Sequence, residues 1–485
     1  MLRNMLVMVL SQFVTTPLSM LVNAVLARRL GAEDFGTIYL VSTMVSLGFL
    51  FVDWGQSATI ATEVAKDRKS AEQALGVGLV FKLLASIMVS AVLAMICWFL
   101  GYQSSVFVAL GLIILQTLFG SFSANYQSVL RGIERFDEVS RNTIASNLLA
   151  AAFVIPVALL GGKLRGTLAA QTIAALVSLV VIIPFVTRSG VGRPRFSRPM
   201  VKKLIQTGTG FLIFNLVLAL QPNVDAVVLS KMAPAEVVGW FAAARRLIGV
   251  LIFPVTTLCF ALYPTLVRLW RDDKEAYRQL VINSLRAVII FGVCIALGTA
   301  LFADVGIRVV YGGDAFAPAV LDLQFLAGFI LLLFLSLVPG CAVVASGLQM
   351  PWAGVQAMCI VVSAVGDPLL VPYFQRRYGN GGIGICATLA ISEALMLASA
   401  LVMLRSLKLA KPLLSTLLSS LAGAIAMIGC AILLPDKPSL IRMSVSVAAY
   451  FGVLFGLGGF DRTHLSLIVE IVRERISRRG QPAAP

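Results

Sequence analysis

The stretch LARRLGAEDFGTIYL (residues 26–40) sets two arginines and two acids between two long apolar runs, and SKMAPAEVVGWFAAARRL (230–247) does much the same. The two align as Ala32-Glu33-x-x-Gly36 against Ala235-Glu236-x-x-Gly239, 203 residues apart. Each follows an apolar run and precedes another that opens on an aromatic residue, Tyr39 or Trp240-Phe241. Both phrases read as outer turns joining the first two helices of a repeated unit. Two weaker matches follow in the same order. LRGIERF (130–136) aligns with ASGLQMP (345–351), and GTLAAQTIAAL from Gly166 aligns with GICATLAISEAL from Gly384.

Composition fixes the class. The 485 residues are 59% hydrophobic and 13% charged, with a mean hydropathy of +0.93, far from the balance of a soluble domain. Apolar runs of about twenty residues recur, each long enough to cross hydrocarbon as a helix. They predict an all-α integral membrane protein with about fourteen transmembrane helices, near 5–27, 38–60, 75–100, 105–130, 142–160, 167–186, 207–231, 239–263, 281–303, 318–346, 353–372, 383–404, 413–434 and 441–459. No cleaved signal peptide is expected, because the first run is full length.

The repeat divides the chain into a six-helix lobe over 1–186, a basic linker over 187–206 and a second six-helix lobe over 207–404. A helix pair over 405–459 and an amphipathic tail over 460–485 follow. An even number of spans gives both lobes one orientation, related by an axis along the membrane normal, as in transporters that rock one half against the other. Pro17 and Pro222, at near-equivalent places, are either flexing points or static kinks. The linker gathers Arg188, Arg193, Arg195, Arg198, Lys202 and Lys203 without an acid, which puts both termini in the cytoplasm. The net charge of +16 then reflects topology and attraction to anionic lipids. Nucleic-acid binding is excluded, since no soluble domain exists to present a basic surface. The seven cysteines fall within expected spans and the single histidine, His464, in the tail. Disulfides, a zinc site and histidine-based catalysis are therefore not expected.

Charges within the spans are costly and mark either ion pairs or a wet cavity. Asp53 and Lys82 each lie roughly 10 Å below the inner surface on consecutive spans, by a rise of ~1.5 Å per residue. Asp225 stands in the same relation to Arg245 and Arg246 near the outer surface. These are either two buried ion pairs or cavity cations tuned by carboxylates. Asp225 cannot neutralise both arginines well, because neighbours on a helix point about 100° apart. Arg28 and Arg29 either snorkel to headgroups or join Lys82, Arg245 and Arg246 in binding an anionic headgroup such as a pyrophosphate. Glu393, near the middle of its span, either carries a coupling ion or is protonated and hydrogen-bonded. Gln116, Asn125, Tyr126, Gln127, Gln171, Asn215, Gln221, Asn223 and Gln356 either line a wet path for hydroxylated cargo or join helices to one another.

RRLGAEDFGTIYL, Asp53-Trp54-Gly55, the stretch VKKLIQTGTGFLIFNLVLALQPNVDAVVLSKMAPAEVVGWFAAARRL and YGNGGIGICATLAISEAL together resemble the O-antigen and exopolysaccharide flippases (Wzx type). Those flippases fall in the multidrug/oligosaccharidyl-lipid/polysaccharide (MOP) superfamily. The resemblance implies a non-enzymatic carrier in the bacterial inner membrane that moves undecaprenyl-pyrophosphate-linked oligosaccharide outward by alternating access. It also implies coupling to Na+ or H+ or to the membrane potential, with no other cofactor and no metal. The implied partners are the lipid-linked glycan, membrane lipids and the polymerase and chain-length machinery, with the chain acting as a monomer. Rival readings are a lipid II flippase, a drug/cation antiporter with a carboxylate-dominated cavity, and a polysaccharide polymerase or ligase. The last would need a long catalytic outer loop, and the longest outer loop expected here is 304–317.

Overall fold

Backbone amides cannot reach water inside hydrocarbon, so the apolar runs satisfy them internally as helices. A computed structural model describes residues 2–435 and 439–458, apart from the side chains at 2–10, 13, 214, 217–218 and 220–223. Pro222, Gln221, Asn223, His464 and the tail over 460–485 lie outside the described residues. The helices are α1 (Leu2–Asp53), α2 (Gln56–Lys66), α3 (Ala71–Phe99), α4 (Ser104–Gly132), α5 (Phe136–Leu159), α6 (Leu164–Arg188), α7 (Arg198–Met232), α8 (Ala235–Asp272), α9 (Lys274–Leu301), α10 (Ala303–Tyr311), α11 (Ala319–Ala345), α12 (Gln349–Tyr378), α13 (Gly382–Met403), α14 (Ala410–Leu433) and α15 (Ser439–Gly456).

Twelve stretches among the described residues are long and apolar enough to cross a membrane. The protein is a multi-pass, all-α membrane protein. The first two expected spans are two helices that meet at Gly31, inside the expected break over 28–37, which narrows to a kink. Within 28–37 the helical geometry is interrupted at Gly31, with φ 79° and ψ 178°, a backbone region that glycine enters without Cβ strain. Ala32 to Gly36 are helical, so the repeated phrase follows the kink between the two helices rather than forming it. Its second copy likewise forms the first turn of α8.

What the phrase does is pack. A Cβ on Gly36 would strike the Ala235 carbonyl and come within 2.7 Å of the Gly239 nitrogen. A Cβ on Gly239 would strike the Ala32 carbonyl and come within 3.1 Å of its Cα. The two Ala-x-x-x-Gly motifs thus form a backbone-to-backbone helix crossing, for which small residues three and four apart are required. Overpacking such a contact costs about 1–3 kcal/mol. Gly239→Ala is therefore expected to lower the thermal unfolding midpoint of the purified protein by several degrees. Gly249→Ala serves as control, since nothing lies within 4 Å of an added Cβ there. Equal midpoints for the two variants would refute the crossing.

Glycines meet again at the other end of the second helical segment. Trp54 (φ 47°) and Gly55 (φ 69°) are left-handed and break the run between α1 and α2. The Cβ position of Gly55 is filled by the Gly208 carbonyl and by Phe211 Cβ, and that of Gly208 by the Trp54 carbonyl. Trp54 Nε1 donates to Thr209 Oγ1 at 3.2 Å across this contact.

The described chain divides into two compact units. The first comprises 1–250, 307–322 and 356–389, and the second 251–306, 323–355 and the described residues from 390 onward. In the first, Val22, Leu26, Val154, Ala158 and Ala170 form one apolar cluster. Ile60, Val64, Leu75, Leu130, Ile182 and Val186 belong to another. Along α6 the residues between these clusters include Gln171 and Ser178, so the polar interior lies between two apolar plugs. The basic linker is fastened to the second plug's end. Arg195 N donates to the Glu72 carbonyl at 2.9 Å, its guanidinium lies 3.2 Å from the Glu72 carboxylate, and Lys203 pairs with buried Glu63. In the second unit α9, α14 and α15 pack around Tyr450, whose hydroxyl donates to the Ile290 carbonyl at 2.7 Å.

Candidate functional site

A cavity of about 550 Å³ opens within the first unit, lined by α1, α4, α5, α6 and Arg246 of α8. On α4, Gln116, Gly120, Ser123 and Gln127 follow at helical spacing and share one face. Ser42 and Ser46 of α1 and Asn147 of α5 repeat that pattern. Several of these side chains spend their protons on their own helix. Ser19 Oγ donates to the Thr16 carbonyl at 2.9 Å, Thr117 Oγ1 to Ile113 at 2.7 Å and Asn147 Nδ2 to Thr143 at 3.0 Å. Their oxygens retain lone pairs that can accept further hydrogen bonds. Gln116, Gln127 and Gln171 lie in this wall, whereas Asn125 is buried beside Gly78.

Arg246 is the charged residue of the lining. Its guanidinium stacks over Phe35 at 4.6 Å and donates through one terminal nitrogen to Asn23 Oδ1. A stacked, singly anchored fork keeps other N–H groups for a bound anion.

Asp53 and Lys82 form an ion pair at 2.8 Å, with Lys82 fully buried and Asp53 27% exposed. The Lys82 ammonium also donates to the Ser121 carbonyl at 3.1 Å, and Ser57 Oγ donates to Asp53 at 2.6 Å. The left-handed break at Trp54–Gly55 turns α2 so that Ser57 reaches back to this carboxylate. The pair borders a cavity of about 370 Å³ that shares Gln116, Thr117 and Gly120 with the larger one. Both readings of this pair thus meet in one place: the charges neutralise each other at the edge of a cavity.

Asp225 carries a neighbour that sequence spacing did not reveal. Asp367 of α12 acts on it electrostatically, and Asp225 Oδ1 and both Asp367 carboxylate oxygens are buried without a hydrogen-bond partner among the described residues. Asp225 is 1% exposed and Asp367 0%. Two interacting carboxyl groups out of water favour a shared proton or a cation between them. Two carboxylates suit a monovalent cation as well as a proton. Arg245 acts electrostatically on Asp225 and on the neighbouring Tyr39.

The remaining candidates lie elsewhere. Arg28 donates from Nε to the Val310 carbonyl at 2.9 Å and from Nη2 to that of Val309 at 2.5 Å. It therefore caps the C-terminus of α10, where a cation offsets the helix dipole. Arg29 is exposed. Glu393, in the second unit, accepts from Ser336 Oγ at 2.6 Å. Among the described residues, no group of three or more His, Cys, Asp or Glu could hold a metal ion.

The fold is similar to that of solved membrane transporters. The lipid II flippase MurJ in an inward closed conformation superposes with a TM-score of 0.71 at 13% identity, covering 95% of this chain and all of that one (100%). An inward-facing multidrug resistance MATE family transporter gives 0.60 at 15% identity, covering 82% of this chain and 96% of its own. The Vibrio cholerae MATE transporter VcmN, in a mutant form, gives 0.57 at 15%, covering 85% and 97%. The chain belongs to the polysaccharide biosynthesis protein family, whose profile matches residues 1–270. No curated protein matches it.

Proposed function

We propose that this protein is a flippase that carries an undecaprenyl-pyrophosphate-linked oligosaccharide from the inner to the outer leaflet of the bacterial inner membrane by alternating access. The observation that carries this reading is the cavity of neutral hydroxyl and amide side chains with Arg246 in its wall. Hydroxyls and amides suit a glycan, and a guanidinium fork suits its pyrophosphate. A cavity built for a cationic drug would place carboxylates where this one has serines, asparagine and an arginine. The family match over 1–270 supports polysaccharide cargo. The reading includes fourteen passes, two repeated lobes, cytoplasmic termini and action as a monomer beside polymerase and chain-length machinery.

A second reading, lipid II as cargo, is favoured by the full-length likeness to MurJ. Both cargoes are polyprenyl-pyrophosphate saccharides, so the test must separate them. Proteoliposomes holding the purified protein would be loaded with labelled lipid-linked oligosaccharide, with lipid II or with ethidium. Faster movement of the oligosaccharide than of lipid II is the expected result. Movement of neither lipid, or of ethidium alone, would refute the proposal.

Coupling is assigned to Asp225 and Asp367, with Na+ or H+ between them. Asp367→Asn is expected to abolish acceleration by an imposed ion gradient, lowering gradient-driven flipping at least ~10-fold, a barrier change of about 1.4 kcal/mol. Unchanged gradient response in this variant would remove the pair from the mechanism.

A further inference from the structure

A further cavity of about 290 Å³ lies in the first unit next to the large one, and Gln127 and Ser146 line both. It is lined otherwise by α1, α4 and α5 through Ser11, Gln12, Arg131, Val139, Ser140 and Thr143. It belongs to the end of the unit where Gly132 packs on Val64 and where Lys203 pairs with Glu63. That is the end expected to face the cytoplasm.

Among the described residues, Arg131 is the charge lining this cavity and no acid lines it. One terminal nitrogen of its guanidinium donates to Gln127 Oε1 at 3.3 Å, the long end of the hydrogen-bond range. Its Nε is buried and has no hydrogen-bond partner among the described residues, and the same holds for the Ser140 hydroxyl. Two of the acids near it in sequence are placed elsewhere. Glu134 is exposed, and Glu138 accepts from Arg135 at 2.6 Å and from Ser189 at 3.2 Å. Buried donors left unmet are costly, and more so on a charged guanidinium. Both residues line the cavity; the two atoms are themselves covered, and a side-chain rotation that uncovers them would present them to an acceptor-rich, negatively charged occupant.

We infer that this cavity is an anion-binding station for a phosphate or pyrophosphate group, held by Arg131 and Ser140. The carried group is a lipid headgroup or the free anion. Gln127 bonds to Arg131 and also lines the large cavity, so the station adjoins the space that holds Arg246. Its place on the cargo's path, as the loading site ahead of Arg246, rests on the flippase reading above; the anion site does not.

The test is calorimetric titration of the full-length protein in nanodiscs of neutral lipid, with inorganic pyrophosphate and with a short-chain polyprenyl pyrophosphate in separate arms. Arg131→Gln is expected to weaken binding at least ~10-fold, the loss of a charge-assisted hydrogen bond. Ser140→Ala is expected to weaken it a few-fold, and Arg131→Lys is expected to fall between wild type and Arg131→Gln. Binding of both probes points to the free anion as a sufficient ligand, and binding of the lipid probe alone assigns the site to a headgroup. Wild-type protein that binds neither probe, or Arg131→Gln binding as wild type does, overturns the inference. Should Arg131→Gln fail to give a monodisperse protein, Ser140→Ala decides, and wild-type affinity in that variant overturns the inference. Intact anion binding in protein that moves no lipid-linked saccharide in proteoliposomes would leave the site standing and refute the flippase reading alone.

Discussion

Arg246→Ala is expected to reduce flipping of lipid-linked oligosaccharide by about 10- to 150-fold, corresponding to the ~1.5–3 kcal/mol carried by a hydrogen bond to a charged group. The side chain stacks on Phe35, bonds to Asn23 and contributes the charge of the large cavity's wall. Removing it leaves Asn23 Oδ1 facing a roomy polar space where water substitutes, so the fold should survive. Arg246→Lys keeps the charge, loses the planar fork and should retain an intermediate rate. Flipping rates in proteoliposomes, with unfolding midpoints measured in parallel, check both variants. A rate for Arg246→Ala equal to wild type would remove the arginine from cargo binding.

Lys82→Met is the second large effect, and it falls on stability. Removing one partner of a buried ion pair costs about 3–5 kcal/mol because the other charge is stranded. Asp53 retains 27% exposure and a bond from Ser57, which places the expected loss near the lower end, about 3 kcal/mol. The double variant Asp53→Asn with Lys82→Met removes both charges and should recover most of that loss. The swap Asp53→Lys with Lys82→Asp should recover part of it, since the Ser121 carbonyl and Ser57 hydroxyl then face the wrong groups. Thermal unfolding of wild type, the single variants Asp53→Asn and Lys82→Met, and their double variant measures the coupling. If the two single changes and the double change add without interaction, the pair contributes no stability as a pair.

The Asp53–Lys82 pair was legible because both residues lie at one depth on consecutive spans, which fixes who can reach whom. The Asp225–Asp367 interaction was not, because its partners lie on α7 and α12, helices that no sequence spacing brings together. Arg28 was legible as a charge at a span's outer end. Its acceptors were not, since they are backbone carbonyls of α10 about 280 residues away. Arg131 was passed over for a similar reason. A basic residue in the last turn of a helix reads as a flank, and only the packing of α1 and α5 makes that flank a cavity wall. The helices themselves were legible almost throughout, since hydrocarbon leaves a long apolar segment little else to form. Gly31 was the exception: polar residues around it suggested a loop, yet one left-handed residue suffices.

The glycine crossing near that bend has a further consequence. Gly36 rests on Ala235 and Gly239, and Gly239 rests on Ala32, so each copy of the motif is both knob and socket to the other. That mutual arrangement is the mark of an isologous interface, the kind formed when two identical subunits associate about a two-fold axis. Here it is held within one polypeptide. Neither copy can drift independently: a methyl group added to one is met by the backbone of the other, which no side-chain change can move aside. Two distant positions in the sequence therefore answer to a single spatial constraint.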